Sequence, residues 1–229
     1  MLKLIRLEWK KNNIMKYVRN ACIMVGVLLL LLIAIAGELE ADETRLAYGN
    51  SMLKTGVELF TNMSFIVFTS AMLASFIVSA YKNKTMNLMF SYPISRKKIL
   101  LSQMLSVWIF NFTALVLSKI LIYCALVAVK KYTYITAESI ALGSRMFYVE
   151  ILVDSAVMIS ISFIALLVGL WMRSSKAAII TGVIIVCFTQ GNIGAYSLVG
   201  NIPFYITLLV ISAVSVFFSL YKIETRDVL

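Results

Sequence analysis

Six continuous apolar runs constrain this chain more than any motif in it. A hydrocarbon core of about 30 Å takes ~20 predominantly apolar residues in a helix. Runs of that kind occupy Tyr17–Gly37, Leu59–Tyr81, Leu101–Val129, Phe147–Met172, Ala177–Val199 and Pro203–Tyr221. They are unbroken rather than alternating, and far longer than a barrel strand, so they read as helices. Leu, Ala, Met and Ile dominate them, interrupted by Ser, Thr and Gly, which let helix backbones approach closely. Composition closes off the alternatives. Of 229 residues, 61% are apolar and 14% charged, against about 45–50% and 25% in a soluble domain. A soluble fold of this size cannot hide so much apolar surface. The chain reads as all-α, a polytopic integral membrane protein with six transmembrane helices.

The formal charge of +10 would point to nucleic acid in a soluble protein. In a polytopic chain it has another cause, because cytoplasmic loops collect Lys and Arg. With the N-terminus inside, the cytoplasmic segments hold fifteen of the 21 basic residues: six before or at the start of the first run, then Lys82, Lys84, Arg96, Lys97, Lys98, Arg173, Lys176, Lys222 and Arg226. The outside segments hold five, Arg45, Lys54, Lys130, Lys131 and Arg145, and Lys119 falls within a run. That asymmetry places both termini in the cytoplasm. Ala34-Ile35-Ala36 looks like a signal-peptide cleavage site, but the basic leader ahead of it is unusually long, so the run is read as a retained span.

The residues before the first span form an element of their own. Met1, Leu2, Ile5 and Trp9 fall on one helical face, with Lys3, Arg6 and Lys10 on another. A basic helix with Trp on its apolar side suits the inner headgroup layer, the other reading being an ordinary charged leader.

Several chemistries lack their residues. There is no histidine, which removes the commonest metal ligand and general base together. No G-x-x-x-x-G-K-[ST] phosphate loop occurs. Cys22, Cys124 and Cys187 lie in apolar stretches and read as small buried hydrophobes. Glu38, Glu40, Asp42 and Glu43 cluster at the outer end of the first span, as a solvated loop would. No catalytic, metal or cofactor site is expected on this chain. Two charges do stand out. Lys119 and Asp154 each lie roughly 10–15 Å below the outer surface, at 1.5 Å per residue, where a lone charge costs about 2.5–3.5 kcal/mol. Either they pair, or Lys119 snorkels outward and Asp154 faces water.

The most informative segment joins the second and third runs. Thr85–Tyr92 can form two turns of helix presenting Met86, Leu88, Met89 and Phe90. Pro93 ends it, and Ser95 can cap the helix that follows. An apolar helix on a basic loop asks for a partner. Here the sequence resembles the type-2 permeases of ATP-binding-cassette exporters. In that family a basic amphipathic N-terminal helix precedes six spans. The loop after the second span carries a threonine, a leucine-rich short helix and a Pro-Ile-Ser-Arg stretch, matched by Thr85, Leu88, Pro93, Ile94, Ser95 and Arg96. Many relatives have an acidic residue shortly before the threonine, where this chain has Lys82, Asn83 and Lys84.

The resemblance implies one permease domain over 1–229: an interfacial helix at 1–16, two spans in 17–81, a cytoplasmic coupling loop at 82–98 and four spans in 99–229. Leu2, Ile5, Arg6, Trp9 and Lys10 would serve the interfacial helix. Thr85, Met86, Leu88, Met89, Phe90, Tyr92 and Pro93 would couple to a separate ATPase subunit, which would hold ATP and Mg. A second permease chain, the same or homologous, would complete the transporter in a bacterial plasma membrane. The short loops look most like permeases for lantibiotic immunity, bacitracin resistance and export of amphipathic-peptide toxins, which makes amphipathic or antimicrobial peptides the expected cargo. The competing expectation is a non-transporting sensor or assembly subunit that docks its partner through the same loop.

The fifth run is irregular. Ala177–Thr189 is only 13 residues, and Gln190, Gly191, Asn192 and Gly194 follow. Backbone of that kind at membrane depth must be buried by protein or face water. A short helix followed by a re-entrant or extracellular hairpin, returning through Pro203, is one reading; a plain span with a polar bend is the other.

Overall fold

A computed structural model describes residues 2–41, 52–82, 96–129, 144–193, 196–197 and 201–225. Its elements are α1 (Leu2–Lys11), α2 (Ile14–Ala41), α3 (Met52–Leu73), a π-helical turn (Ala74–Val78), α4 (Ser79–Lys82), α5 (Arg96–Val129), α6 (Arg145–Ile161), α7 (Ile164–Trp171), α8 (Ser175–Gln190), the strands β1 (Asn192–Ile193) and β2 (Tyr196–Ser197), and α9 (Ile202–Thr225). Among the described residues five stretches are long and apolar enough to cross a bilayer: Ile14–Ile35, Lys54–Tyr81, Lys97–Val129, Arg145–Trp171 and Ile202–Tyr221. The architecture is compatible with a helical membrane protein.

By length, then, five of the six expected runs form spanning helices. The run at Ala177–Val199 is not one helix. It stops at Gln190, so α8 has 16 residues, about 24 Å at 1.5 Å each. Gly191 leaves helical geometry (φ −82°, ψ 162°), and β1 then pairs antiparallel with β2, Asn192 opposite Ser197. The cysteines need correction. Cys22, Cys124 and Cys187 are free and exposed, because a chain with lipid as solvent gains nothing by turning small apolar groups inward. Leu30, Leu117 and Phe217 are likewise exposed.

Polar side chains survive in these helices by bonding their own backbone. Thr61 Oγ1 donates to the Val57 carbonyl at 2.7 Å, Thr69 Oγ1 to Phe65 at 2.7 Å and Ser70 Oγ to Ile66 at 2.8 Å, the back-bond open to Ser and Thr within a helix. Helix ends use left-handed residues. Asn13 (φ 50°) separates α1 from α2, and Asn tolerates that conformation better than most residues. Arg173 (φ 48°) separates α7 from α8, where the Ser174 N–H closes back on the Gly169 carbonyl at 3.2 Å, as in a glycine-ended helix.

By its contacts the chain divides into two units, with boundaries at the start of α2 and inside α3, α5 and α6. One comprises 1–14, 65–112 and 156–229. Its core gathers Ile66, Met158, Ile161, Ala165 and Ile185, with Tyr205, Leu208 and Leu209 packed alongside. Glycines set its closest approaches. A Cβ on Gly169 would stand 2.7 Å from the Ala178 Cβ and 2.9 Å from Val78 Cγ2, and one on Gly182 would collide with Ser70. Gly182→Ala is expected to cost about 1–3 kcal/mol by overpacking, read as a lowered unfolding midpoint in detergent. Gly26→Ala, with nothing within 4 Å of the new methyl, is expected to leave that midpoint unchanged or raise it, since alanine is favoured over glycine inside a helix by about 1 kcal/mol.

The other unit comprises 15–64 and 113–155. Its core is Leu28, Leu32, Val57, Ile122, Tyr123, Leu126, Phe147 and Ile151. The Tyr123 and Phe147 rings meet edge-on with centroids 5.0 Å apart.

Candidate functional site

The second unit carries a ladder of polar groups across three apolar helices. Lys54, Glu58 and Asn62 repeat every fourth residue along α3; Lys119 and Tyr123 do so on α5, and Glu150 and Asp154 on α6. That spacing places each set on one helical face. Counted from the near ends of the spans that begin at Lys54 and Arg145 and end at Val129, Glu58, Tyr123 and Glu150 lie about 6–9 Å in. Asn62, Lys119 and Asp154 lie about 12–15 Å in, at 1.5 Å per residue.

The deep rung is an ion pair. Lys119 Nζ lies 2.5 Å from Asp154 Oδ2, with the lysine side chain wholly buried and the aspartate side chain 28% exposed. Asn62 Nδ2 donates to the same carboxylate oxygen at 3.0 Å. Of the two sequence expectations, pairing is the one found, because Lys119 has no exposed surface through which to snorkel. The shallow rung is Lys54 with Glu150, 2.5 Å apart, the Lys54 ammonium also 5.9 Å from the Phe147 ring centroid. Glu58 sits between, within electrostatic range of both lysines, Asp154 and Glu150. The sequence reading missed Lys54, Glu58, Asn62, Tyr123 and Glu150. The signal was the four-residue spacing, which is visible without a structure.

The N-terminal helix is shorter than the expected 1–16. Leu2 opens α1, which ends at Lys11. Arg6 and Lys10 are exposed, but Ile5 is buried. The Trp9 indole N–H donates to the Ser106 carbonyl at 3.3 Å. Glu8, also buried, accepts from Gln103 Nε2 at 3.3 Å and from Asn12 Nδ2 at 3.3 Å. The Ile5–Trp9 face of α1 therefore lies on α5, where Glu8 and Trp9 find polar partners. Farther along α5, the Trp108 indole N–H donates to Ser160 Oγ at 3.2 Å, and the Ser160 carbonyl accepts from Ser212. Trp108 also lines an apolar cavity of about 440 Å³ with Met104, Phe163, Leu209 and Val216.

Thr85, Met86, Leu88, Met89, Phe90, Tyr92 and Pro93, with the cap Ser95, lie outside the described residues. Among the described residues no three His, Cys, Asp or Glu side chains are grouped to hold a metal ion.

No protein-family model matches the chain. It is similar to YcbO of Bacillus subtilis (strain 168), a protein described as uncharacterized. The two are 28% identical over 233 aligned residues that cover 99% of this chain and 98% of YcbO. No solved structure matches.

Proposed function

We propose that the chain is the transmembrane permease subunit of an ATP-driven ATP-binding-cassette exporter, seated in a plasma membrane with both termini in the cytoplasm. The observation that carries the reading is the basic, apolar loop sequence Thr85–Arg96 set between two long apolar helices, the second of which follows Pro93 within three residues. Energy from ATP hydrolysed on a separate subunit must enter the spans through a protein contact. An apolar segment that reaches α5 through a proline is suited to transmit it. In this reading α8 is the short fifth span, and β1 and β2 form the hairpin that returns the chain to α9. Together with the five longer helices this makes six crossings.

Cargo of amphipathic or antimicrobial peptides fits the same molecule. Such peptides carry apolar side chains, and the first unit offers an apolar cavity near Trp108. A second permease chain completes the pathway, while ATP and Mg reside on the ATPase subunits.

The test is ATP turnover. The chain is reconstituted with its co-purifying ATPase in liposomes, and a cationic amphipathic peptide is expected to stimulate hydrolysis several-fold. Stable association with no stimulation by any peptide, lipid or drug would place the chain instead among non-transporting sensor or assembly subunits.

A further inference from the structure

Among the described residues, the ladder in the second unit sets the carboxylates of Glu58, Glu150 and Asp154 against the ammonium groups of Lys54 and Lys119. Lys54 is engaged by Glu150 and Lys119 by Asp154. Among the described residues, no hydrogen bond or ion pair engages the Glu58 carboxylate. Two further acceptors are idle. Among the described residues, Asn62 Oδ1 and the Tyr123 hydroxyl have no hydrogen-bond partner, and these residues are only 3% and 0% exposed. Both belong to the same cluster: the other amide atom of Asn62 donates to Asp154, and Tyr123 follows Lys119 by one turn on the same face of α5. Buried polar atoms are nearly always paired. Two that are not, beside a carboxylate with no direct partner among the described residues, mark a place for a ligand.

We propose that this cluster is a binding site for a primary ammonium group. What it lacks, among the described residues, is one positive charge and a set of hydrogen-bond donors. An ammonium carries that charge with three donors and no acceptor, matching the Glu58 carboxylate, Asn62 Oδ1 and the Tyr123 oxygen one for one. A guanidinium brings five donors in a planar fork and would leave some unmet. A divalent metal ion would need convergent carboxylates, and no three are so grouped among the described residues. The cluster is open to a ligand, since Glu58 is only half-buried and the Asp154 side chain is 28% exposed. The group comes from a lysine of an amphipathic peptide or from an aminophospholipid headgroup, which present the same charge and donors.

The purified chain in phosphatidylcholine nanodiscs is titrated with octylammonium chloride and, in parallel, with octanol, and thermal unfolding is followed. Octylammonium is expected to raise the midpoint saturably where octanol does not. Glu58→Gln is expected to shift the half-saturating concentration upward by about tenfold or more, the loss of one charge-assisted contact. Tyr123→Phe keeps the ring and removes only the hydroxyl, so it gives a smaller shift in the same direction and decides the matter if Glu58→Gln does not fold. Competition by a lysine-bearing amphipathic peptide, but not by its Nε-acetylated form, assigns the site to peptide. Loss of the octylammonium response in discs containing phosphatidylethanolamine assigns it to lipid. Equal responses to octanol and octylammonium, or an unchanged octylammonium response in both variants, would overturn the site. None of these readouts involves ATP, so the outcome is separable from that of the transport reading.

Discussion

Asp154→Asn is expected to be the most damaging single change in the polar ladder, costing about 3–5 kcal/mol of stability, the usual loss on orphaning one partner of a buried ion pair. The charge it strands is Lys119, which has no exposed side-chain surface and whose ammonium lies 2.5 Å from the carboxylate oxygen being removed. Lys119→Met should cost less, because the carboxylate it leaves is 28% exposed and keeps the hydrogen bond from Asn62 Nδ2. The order of the two single variants therefore follows from burial, not from the pair distance they share. The double variant Lys119→Met with Asp154→Leu removes both charges and should recover most of the loss, since an apolar pair of similar volume often equals a buried salt bridge. Unfolding of the three variants in detergent tests the argument. Equal losses in the two single variants, or losses that simply add in the double one, would show that the pair is not the coupled unit described.

The sequence makes the spans legible because run length is set by bilayer thickness and needs no knowledge of packing. Lys119 and Asp154 are legible for the same reason, as charges at matching depth. Run length says nothing of the direction a residue faces, and that is where sequence reading stops. Cys22, Cys124 and Cys187 are exposed although they sit in apolar runs, because lipid and protein interior are equally apolar solvents. The partners of Lys119 and Asp154 were recoverable from spacing. Lys54, Glu58 and Asn62 occupy one face of α3, four residues apart, and chance rarely places three polar groups so in an apolar helix. The seat of α1 on α5 was not recoverable. It depends on Glu8 meeting Gln103 and Trp9 meeting the Ser106 carbonyl, pairs separated by 95 and 97 positions with no local pattern to announce them. The end of the fifth run at Gln190 was half legible, since its glycines mark an interruption without saying that strands follow.

Met89→Glu is expected to leave the chain in the membrane while abolishing either its association with the ATPase or transport. The expectation follows from the proposed coupling role of Thr85–Tyr92. In that reading Leu88, Met89 and Phe90 supply the apolar side chains that dock, and an ATPase cleft that receives them must exclude water. A carboxylate placed in that contact is desolvated without a partner, at a cost of several kcal/mol, and about 1.4 kcal/mol suffices for a tenfold loss of affinity. The flanking basic residues should behave differently. Lys82, Lys84, Arg96, Lys97 and Lys98 serve orientation and lipid headgroups in this reading, and Lys97 and Lys98 are exposed at the start of α5. Each attracts anionic headgroups by only about 1 kcal/mol, so Lys97→Ala or Lys98→Ala should weaken transport mildly. Co-purification of the ATPase with each variant, followed by peptide-stimulated ATP turnover in liposomes, reads both effects. A Met89→Glu chain that binds the ATPase normally and transports normally would remove this loop from the coupling path, and with it the main support for the exporter reading.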